Sequence, residues 1–170
     1  MNRNDNSQVL EQAWEAGPAD YIQTVTDGYL DVLGGTLTAD NMDTLTPQQH
    51  TLLAYRYLLD EVMEGGFIQL IQNGYGPYVL EGPFARIIKK EWGMTEFGKF
   101  LYKVRKEYLL HREALEAELD DEQFMALYEQ QESMNELGDD FLDDYQEEIT
   151  PAIAQYVRTH EQDFIIPTQQ

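Results

Sequence analysis

The sequence of 170 residues contains no cysteine. Disulfide frameworks, cysteine-ligated zinc, iron–sulfur clusters and thiol nucleophiles are therefore excluded. Basic residues are scarce, because 11 lysines and arginines stand against 32 aspartates and glutamates, which gives a formal net charge of −21. A surface of this charge repels phosphate backbones and anionic lipid head groups. We therefore expect neither direct nucleic-acid binding nor membrane binding.

Long apolar runs are also missing. No stretch approaches the roughly 20 apolar residues that a membrane-spanning helix needs, and the first residues lack the apolar core of a signal peptide. We expect a cytoplasmic protein. The length and the 42% content of hydrophobic residues favour a single domain over residues 1–170, with flexible ends at 1–6 and 165–170.

Patterns that carry known chemistry are absent as well. The three histidines, His50, His111 and His160, are far apart, and none completes the Glu-x-x-His pair of a di-iron helix bundle. The sequence has no His-Glu-x-x-His helix, nucleophile elbow, EF-hand loop or phosphate-binding glycine loop. We therefore predict no catalytic residue, no metal site and no cofactor.

Helical periodicity runs through most of the chain. Thr46-Pro47 is typical of a helix start, and Gly65-Gly66 is expected to break the long helix that follows. The pattern predicts one helix over 95–119 and a further helix that begins at Pro151. Because alternating strand patterns are scarce, the sequence predicts an all-α fold, a single compact domain of about seven or eight helices.

Charge is distributed unevenly along the chain. Residues 1–85 hold 12 acids and 2 bases, residues 86–112 hold 3 acids and 8 bases, and residues 113–170 hold 17 acids and 1 base. The stretch 113–148 contains 15 carboxylates and no lysine or arginine. Its helices therefore cannot neutralise themselves through pairs three or four residues apart.

Two rows of carboxylates lie within that stretch at helical spacing. Their members are Glu132, Glu136, Asp139, Asp140, Asp143, Asp144, Glu147 and Glu148. Like-charge pairs four residues apart cost about 0.2 to 0.5 kcal/mol each, so packing must hold this helix. A regular helix would space these charges roughly 3 Å apart, close to the ~3.4 Å between phosphates along one DNA strand. Such a helix could stand in for a phosphate backbone and contact a basic partner.

Simpler interpretations remain open. The acidic face could serve solubility alone. Alternatively, the basic segment 86–112 could cover it in an electrostatic seam, within one chain or across a dimer. The basic residues of that seam would be Arg86, Lys89, Lys90, Lys99, Lys103, Arg105 and Lys106. A different class of function is a helical enzyme or small-ligand receptor with a pocket near 65–78, where Asn73, Tyr75 and Tyr78 could converge.

The run from Glu61 to Gly74 resembles the signature of a bacterial family that includes the DNA-mimic protein of Neisseria. That signature is Asn-Gly-Gly-Phe-x-Gln-x-x-x-Asn after a helix with an acidic residue. The matching positions are Gly65, Gly66, Phe67, Gln69 and Asn73, while Glu64 replaces the first asparagine. Residues 134–141 and 154–164 are similar to the C-terminal pattern of the same family. The resemblance extends over roughly residues 46–164.

The resemblance implies an all-helical fold, dimerisation and an acidic surface that occupies the DNA-binding face of a helix-turn-helix repressor. We interpret the signature as structural, with Phe67 as an anchor in the core and Gln69 and Asn73 bonded to exposed backbone groups. The sequence thus predicts a homodimeric DNA-mimic-like protein that binds a helix-turn-helix regulator or nucleoid protein. An immunity-like inhibitor of a basic nuclease is a close alternative.

Overall fold

The structure, a computed structural model, describes residues 3–166. These residues contain no strand, so the predicted all-α fold is confirmed; they form ten α-helices, more than the seven or eight expected. The helices are α1 (Arg3–Ala16), α2 (Pro18–Val32), α3 (Pro47–Gln72), α4 (Phe84–Lys90), α5 (Thr95–Leu110), α6 (Arg112–Glu116), α7 (Asp121–Gln130), α8 (Glu132–Asp140), α9 (Gln146–Thr159) and α10 (Glu161–Phe164). A 3₁₀ turn spans Met42–Thr44, and π-helical turns span Pro77–Glu81 and Phe141–Tyr145. The flexible ends expected at 1–6 and 165–170 include residues 1–2 and 167–170, which lie outside the described residues.

Helix α3 begins and bends where its sequence predicts. Pro47 is its first residue, the Thr46 hydroxyl accepts a hydrogen bond from the Gln49 amide nitrogen at 3.2 Å, and the Gln49 side chain accepts one from the Thr46 nitrogen at 2.9 Å. This reciprocal pair is a capping box. The backbone leaves helical angles at Gly65 (φ −147°) and Gly66 (φ 75°), which kinks the helix. A positive φ of this kind favours glycine because it has no Cβ.

Two predicted boundaries are wrong. The helix expected over 95–119 ends at Leu110, because the backbone at His111 (φ −118°, ψ 20°) leaves helical angles before α6 begins. Pro151 starts no helix and lies inside α9. The π turn that ends at Tyr145 leads directly into α9, so the chain is already helical when it reaches the proline. The proline therefore lacks one helical hydrogen bond.

The chain divides into two compact units. The first contains the described residues up to Arg56 and those from Glu148 onward. Its core includes the fully buried tyrosines Tyr21, Tyr29 and Tyr55. The Tyr29 hydroxyl donates to the Phe164 carbonyl at 2.7 Å, and the Tyr55 hydroxyl lies 2.7 Å from that of Thr150. Each buried hydroxyl thus has the partner that its burial requires.

The second unit, residues 57–147, contains most of the predicted site residues. Its core has an aromatic centre in which the Phe141 ring lies 6.4 Å from that of Phe67 and 6.0 Å from that of Phe97. Helix α5 packs against both α4 and α8 in this unit. The Phe97 and Phe141 rings therefore join α5 to the helix that carries the carboxylate rows.

Candidate functional site

The acidic segment, residues 132–148, runs from α8 through the second π turn into α9. Met134, Leu137 and Phe141 form its buried face. Of the eight predicted carboxylates, Asp140 is half-buried and the other seven are exposed. Burial of the apolar stripe thus holds the helix in place and leaves the carboxylates at the surface, although their mutual repulsion opposes helix formation.

The eight carboxylates have no hydrogen-bond or ion-pair partner among the residues that the structure describes. Other acids of the chain are paired: Arg112 lies 2.6 Å from Glu81 and 2.7 Å from Glu116. Hydrogen bonds from Tyr108 and Arg112 lower the pKa of Glu116. The acidic segment is therefore a continuous surface of negative charge that nothing in residues 3–166 neutralises by direct contact.

The π turn changes the regular charge spacing that the sequence suggests. Asp143 and Asp144 lie inside it, and the Gln146 nitrogen donates to the Phe141 carbonyl five residues earlier. In such a turn, residues five apart replace residues four apart as vertical neighbours. The two carboxylate rows are consequently regular on α8 and displaced from Phe141 onward. The spacing of apolar and charged residues does not indicate this turn.

A groove with a volume of about 360 Å³ lies beside the acidic segment. Its lining consists of Glu96, Lys99, Phe100, Lys103, Asp140, Asp144 and Tyr145. The Phe100 and Tyr145 rings are stacked there with 4.4 Å between their centroids. Lys99 forms an ion pair with Glu96 at 3.4 Å. Two predicted carboxylates and two residues of the basic segment therefore share one groove.

The direct ion pairs of the electrostatic seam considered above are absent within one described chain, and a seam across a dimer stays a prediction. Within residues 3–166, no ion pair of 4.0 Å or less joins any of the seven proposed basic residues to the acidic segment. Arg86 instead pairs with Glu91 at 3.8 Å, and the Lys89 ammonium lies 5.7 Å from the centre of the Tyr102 ring. Burial, followed by the charges of Glu96, Asp144 and Asp140, raises the pKa of Tyr145.

The five signature residues surround the kink of α3. Phe67 is fully buried, and the Tyr128 hydroxyl donates to the Gly65 carbonyl at 2.8 Å. A Cβ on Gly138 of α8 would lie 3.6 Å from the Gly66 Cα. Helix α8 therefore lies close to the backbone of the kink. At this point neither Gly138 nor Gly66 has a side chain. The signature positions the helix that carries the acidic segment.

We expected Gln69 and Asn73 to bond to exposed backbone groups, but the described residues show a different partner for both. Their amide nitrogens both donate to the same carboxylate oxygen of Glu61, at 2.8 and 2.9 Å. The twelve residues from Glu61 to Asn73 would extend about 18 Å in a straight helix, farther than the two side chains can reach, so the kink brings them together. The sequence places Glu61 in the part of α3 that precedes the kink. Its hydrogen bonds to the two amides could be predicted only once the bend was known.

Two tyrosines of the region 65–78 make aromatic contacts with Tyr57. The Tyr57 ring lies 4.5 Å from that of Tyr75 and 6.1 Å from that of Tyr78. The Asn73 amide is bonded to Glu61. The three residues on which the pocket hypothesis depends therefore have partners within the protein.

Each histidine contacts a group near it in the sequence. The His50 Nε2 is 2.7 Å from the Met42 carbonyl, His111 pairs with Glu107 at 3.6 Å, and the His160 Nδ1 is 2.7 Å from the Tyr156 carbonyl. Residues 3–166 contain no group of three or more His, Asp or Glu side chains placed to hold a metal ion. In the same part of the chain, no helix combines the length and apolar character needed to cross a membrane.

The sequence of this chain is similar to that of a known protein family. Residues 43–160 match the sequence model of the family described as DMP19-like protein. The chain belongs to this family. It is 34% identical over 99 residues to the DNA mimic protein DMP19 of Neisseria meningitidis serogroup B (strain ATCC BAA-335 / MC58). That similarity covers 58% of this chain and 59% of the relative.

Proposed function

We propose that this protein is a DNA mimic whose acidic segment occupies the DNA-binding surface of a basic partner, such as a helix-turn-helix regulator or nucleoid protein. The observation that carries the proposal is the set of eight carboxylates in the acidic segment, which have no hydrogen-bond or ion-pair partner in residues 3–166. The similarity to a relative named as a DNA mimic supports it. We further propose that the protein acts as a homodimer in the cytoplasm.

The charge density of the acidic segment is the physical basis of the mimicry. The helical rise of about 1.5 Å per residue spaces the carboxylates of α8 at intervals comparable to those between phosphates, and the π turn shifts those that follow. Lysines and arginines that normally contact phosphates would meet carboxylates instead, with charge-assisted hydrogen bonds. Such contacts between exposed charges weaken as the ionic strength rises.

The proposal is tested by capture from the native lysate, with the purified protein as bait and elution by a salt gradient. A charge-reduced variant carries Asp139→Asn, Asp140→Asn, Asp143→Asn and Asp144→Asn. The matched control carries Asp20→Asn, Asp31→Asn, Asp40→Asn and Asp43→Asn, which removes the same charge at exposed positions of the first unit. We expect a basic DNA-binding protein that elutes at moderate salt, binds the control and is lost with the charge-reduced variant.

Other outcomes separate the alternatives. A basic nuclease captured in the same salt-dependent way would favour the immunity-like inhibitor. Identical captured proteins from both variants would contradict a role for the acidic segment and leave solubility as the explanation for its charge. Binding that withstands high salt would exclude phosphate-like contacts as the mechanism.

A further inference from the structure

The carboxylates of the acidic segment do not all have the same surroundings. Asp140 and Asp144 line the groove together with Lys99 and Lys103 of α5. Asp139, Asp143 and Glu147 are exposed and are not among the residues that line it. The acidic segment therefore has a groove side, which faces two lysines, and an outer side, which does not.

Lysines across a groove of this size can screen the carboxylates without touching them. Charges that line one groove interact through it without direct contact, over a Debye length of about 8 Å at physiological ionic strength. No ion pair joins Lys99 or Lys103 to Asp140 or Asp144 in the described chain, and Lys99 is paired with Glu96. The screening is partial, because three carboxylates, those of Glu96, Asp140 and Asp144, line the groove with the two lysines.

We infer that Lys99 and Lys103 act as internal counter-ions that divide the acidic segment, so that a basic partner binds chiefly the outer carboxylates Asp139, Asp143 and Glu147. This inference rests on the proposed function and deepens it. A partner cation that approaches Asp140 or Asp144 meets two ammonium groups of like charge. The outer carboxylates lie outside the lining of the groove that these ammonium groups share.

Lys99 and Lys103 therefore oppose the binding of a basic partner. They lower the affinity at one side of the surface and favour a partner whose basic residues reach the outer side. Removing a like charge from an interface improves the match with a cation, and this effect appears as a gain in affinity. Ordinary surface residues of the same charge, far from the groove, are not expected to act in this way.

The test uses the full chain and a fluorescently labelled decalysine peptide, with the dissociation constant measured by fluorescence anisotropy at low ionic strength. Two pairs of variants are matched in charge. Asp139→Asn/Asp143→Asn changes the outer side, and Asp140→Asn/Asp144→Asn changes the groove side. Lys99→Gln/Lys103→Gln removes the counter-ions, while Lys90→Gln/Lys106→Gln removes two exposed lysines that do not line the groove.

We expect the outer pair of aspartate variants to weaken peptide binding more than the groove pair. Lys99→Gln/Lys103→Gln should tighten binding about two- to fivefold beyond the gain from Lys90→Gln/Lys106→Gln, as exposed charge interactions allow. In the Lys99→Gln/Lys103→Gln background, the groove pair should cost as much as the outer pair. Circular dichroism checks that each variant keeps its helices.

Two results overturn the inference in different ways. Equal losses from the two aspartate pairs in the unmodified chain, or equal gains from the two lysine pairs, would contradict the division of the surface and leave the proposed function intact. Failure of the unmodified chain to bind decalysine at low ionic strength would contradict the proposed function itself, and the inference would fall with it.

Discussion

The carboxylate of Glu61 and the carboxylates of the acidic segment differ in whether they accept hydrogen bonds from the protein. The Glu61 carboxylate accepts hydrogen bonds from both Gln69 and Asn73 across the kink of α3. The carboxylates of the acidic segment accept none from the described residues. A carboxylate bonded to two amides stabilises the bend that it spans. A row without partners opposes its own helix and is retained only because packing on the other face compensates.

The comparison distinguishes a carboxylate that stabilises the fold from carboxylates that have no such role. Glu61 shapes the kink, and the kink provides the glycine surface against which α8 lies. The eight carboxylates of the acidic segment make no comparable contact with the described residues, so their charge remains at the surface. The variants below test this division, from the largest expected effect to the smallest.

The first prediction concerns the packing beneath the acidic segment. Phe141→Ala removes a fully buried ring that contacts the Phe67 and Phe97 rings. We expect the free energy of unfolding, measured in urea, to fall by about 3 to 5 kcal/mol. Leu142→Ala, at the neighbouring half-buried position, is the control and should cost less. A loss below about 1 kcal/mol for Phe141→Ala would mean that packing does not hold this helix.

The second prediction concerns the kink. Gly66 has φ 75° and ψ −175°, a combination that is nearly restricted to glycine, so Gly66→Ala should destabilise the protein by about 1 to 3 kcal/mol. Gly28 lies within α2 with no atom near its missing Cβ. Gly28→Ala should therefore be neutral or stabilise by up to about 1 kcal/mol in the same urea titration. Equal effects of the two substitutions would show that the backbone angles of Gly66 do not require glycine.

The third prediction concerns Glu61 itself. Glu61→Gln keeps the shape of the side chain and replaces charge-assisted hydrogen bonds with neutral ones. Since bonds to charged groups are the stronger kind, we expect a loss of about 1 kcal/mol in the free energy of unfolding. Glu64→Gln, an exposed position on the same helix, is the control. Unchanged stability in Glu61→Gln would indicate that the two amides do not depend on the charge.

The fourth prediction has the opposite sign. Asp139→Asn/Asp143→Asn removes like charges without removing any hydrogen bond, so it should stabilise the protein by about 0.5 kcal/mol at low ionic strength. The gain should vanish at high salt, where exposed charges are screened. A loss of stability at low salt would mean that these carboxylates have a structural role like that of Glu61.

Local signals in the sequence account for part of this structure. The start of α3 at Pro47 and its break at Gly65-Gly66 depend on neighbouring residues, and both were predictable. The exposure of the carboxylate rows follows from the apolar stripe beside them. The π turn at 141–145 and the end of α5 at Leu110 depend on tertiary packing, and the spacing of residues did not indicate either.

The contacts between distant parts of the sequence were beyond prediction for a different reason. The bonds to Glu61 require the kink, and the groove requires α5 to lie beside the second π turn. Sequence reasoning named Lys99, Lys103, Asp140 and Asp144 but left open whether they meet. Partner, dimer and location stay predictions, since they depend on molecules other than this chain.

Competition with duplex DNA tests the central claim most directly. The basic protein captured by this chain is bound to its labelled duplex, and the chain is added in increasing amounts while release of the duplex is followed by anisotropy. The account predicts that the unmodified chain releases the duplex. The charge-reduced variant, with Asp139→Asn, Asp140→Asn, Asp143→Asn and Asp144→Asn, should not release it. A stable complex that holds the chain and the duplex together would contradict the claim, because the two would then occupy different surfaces.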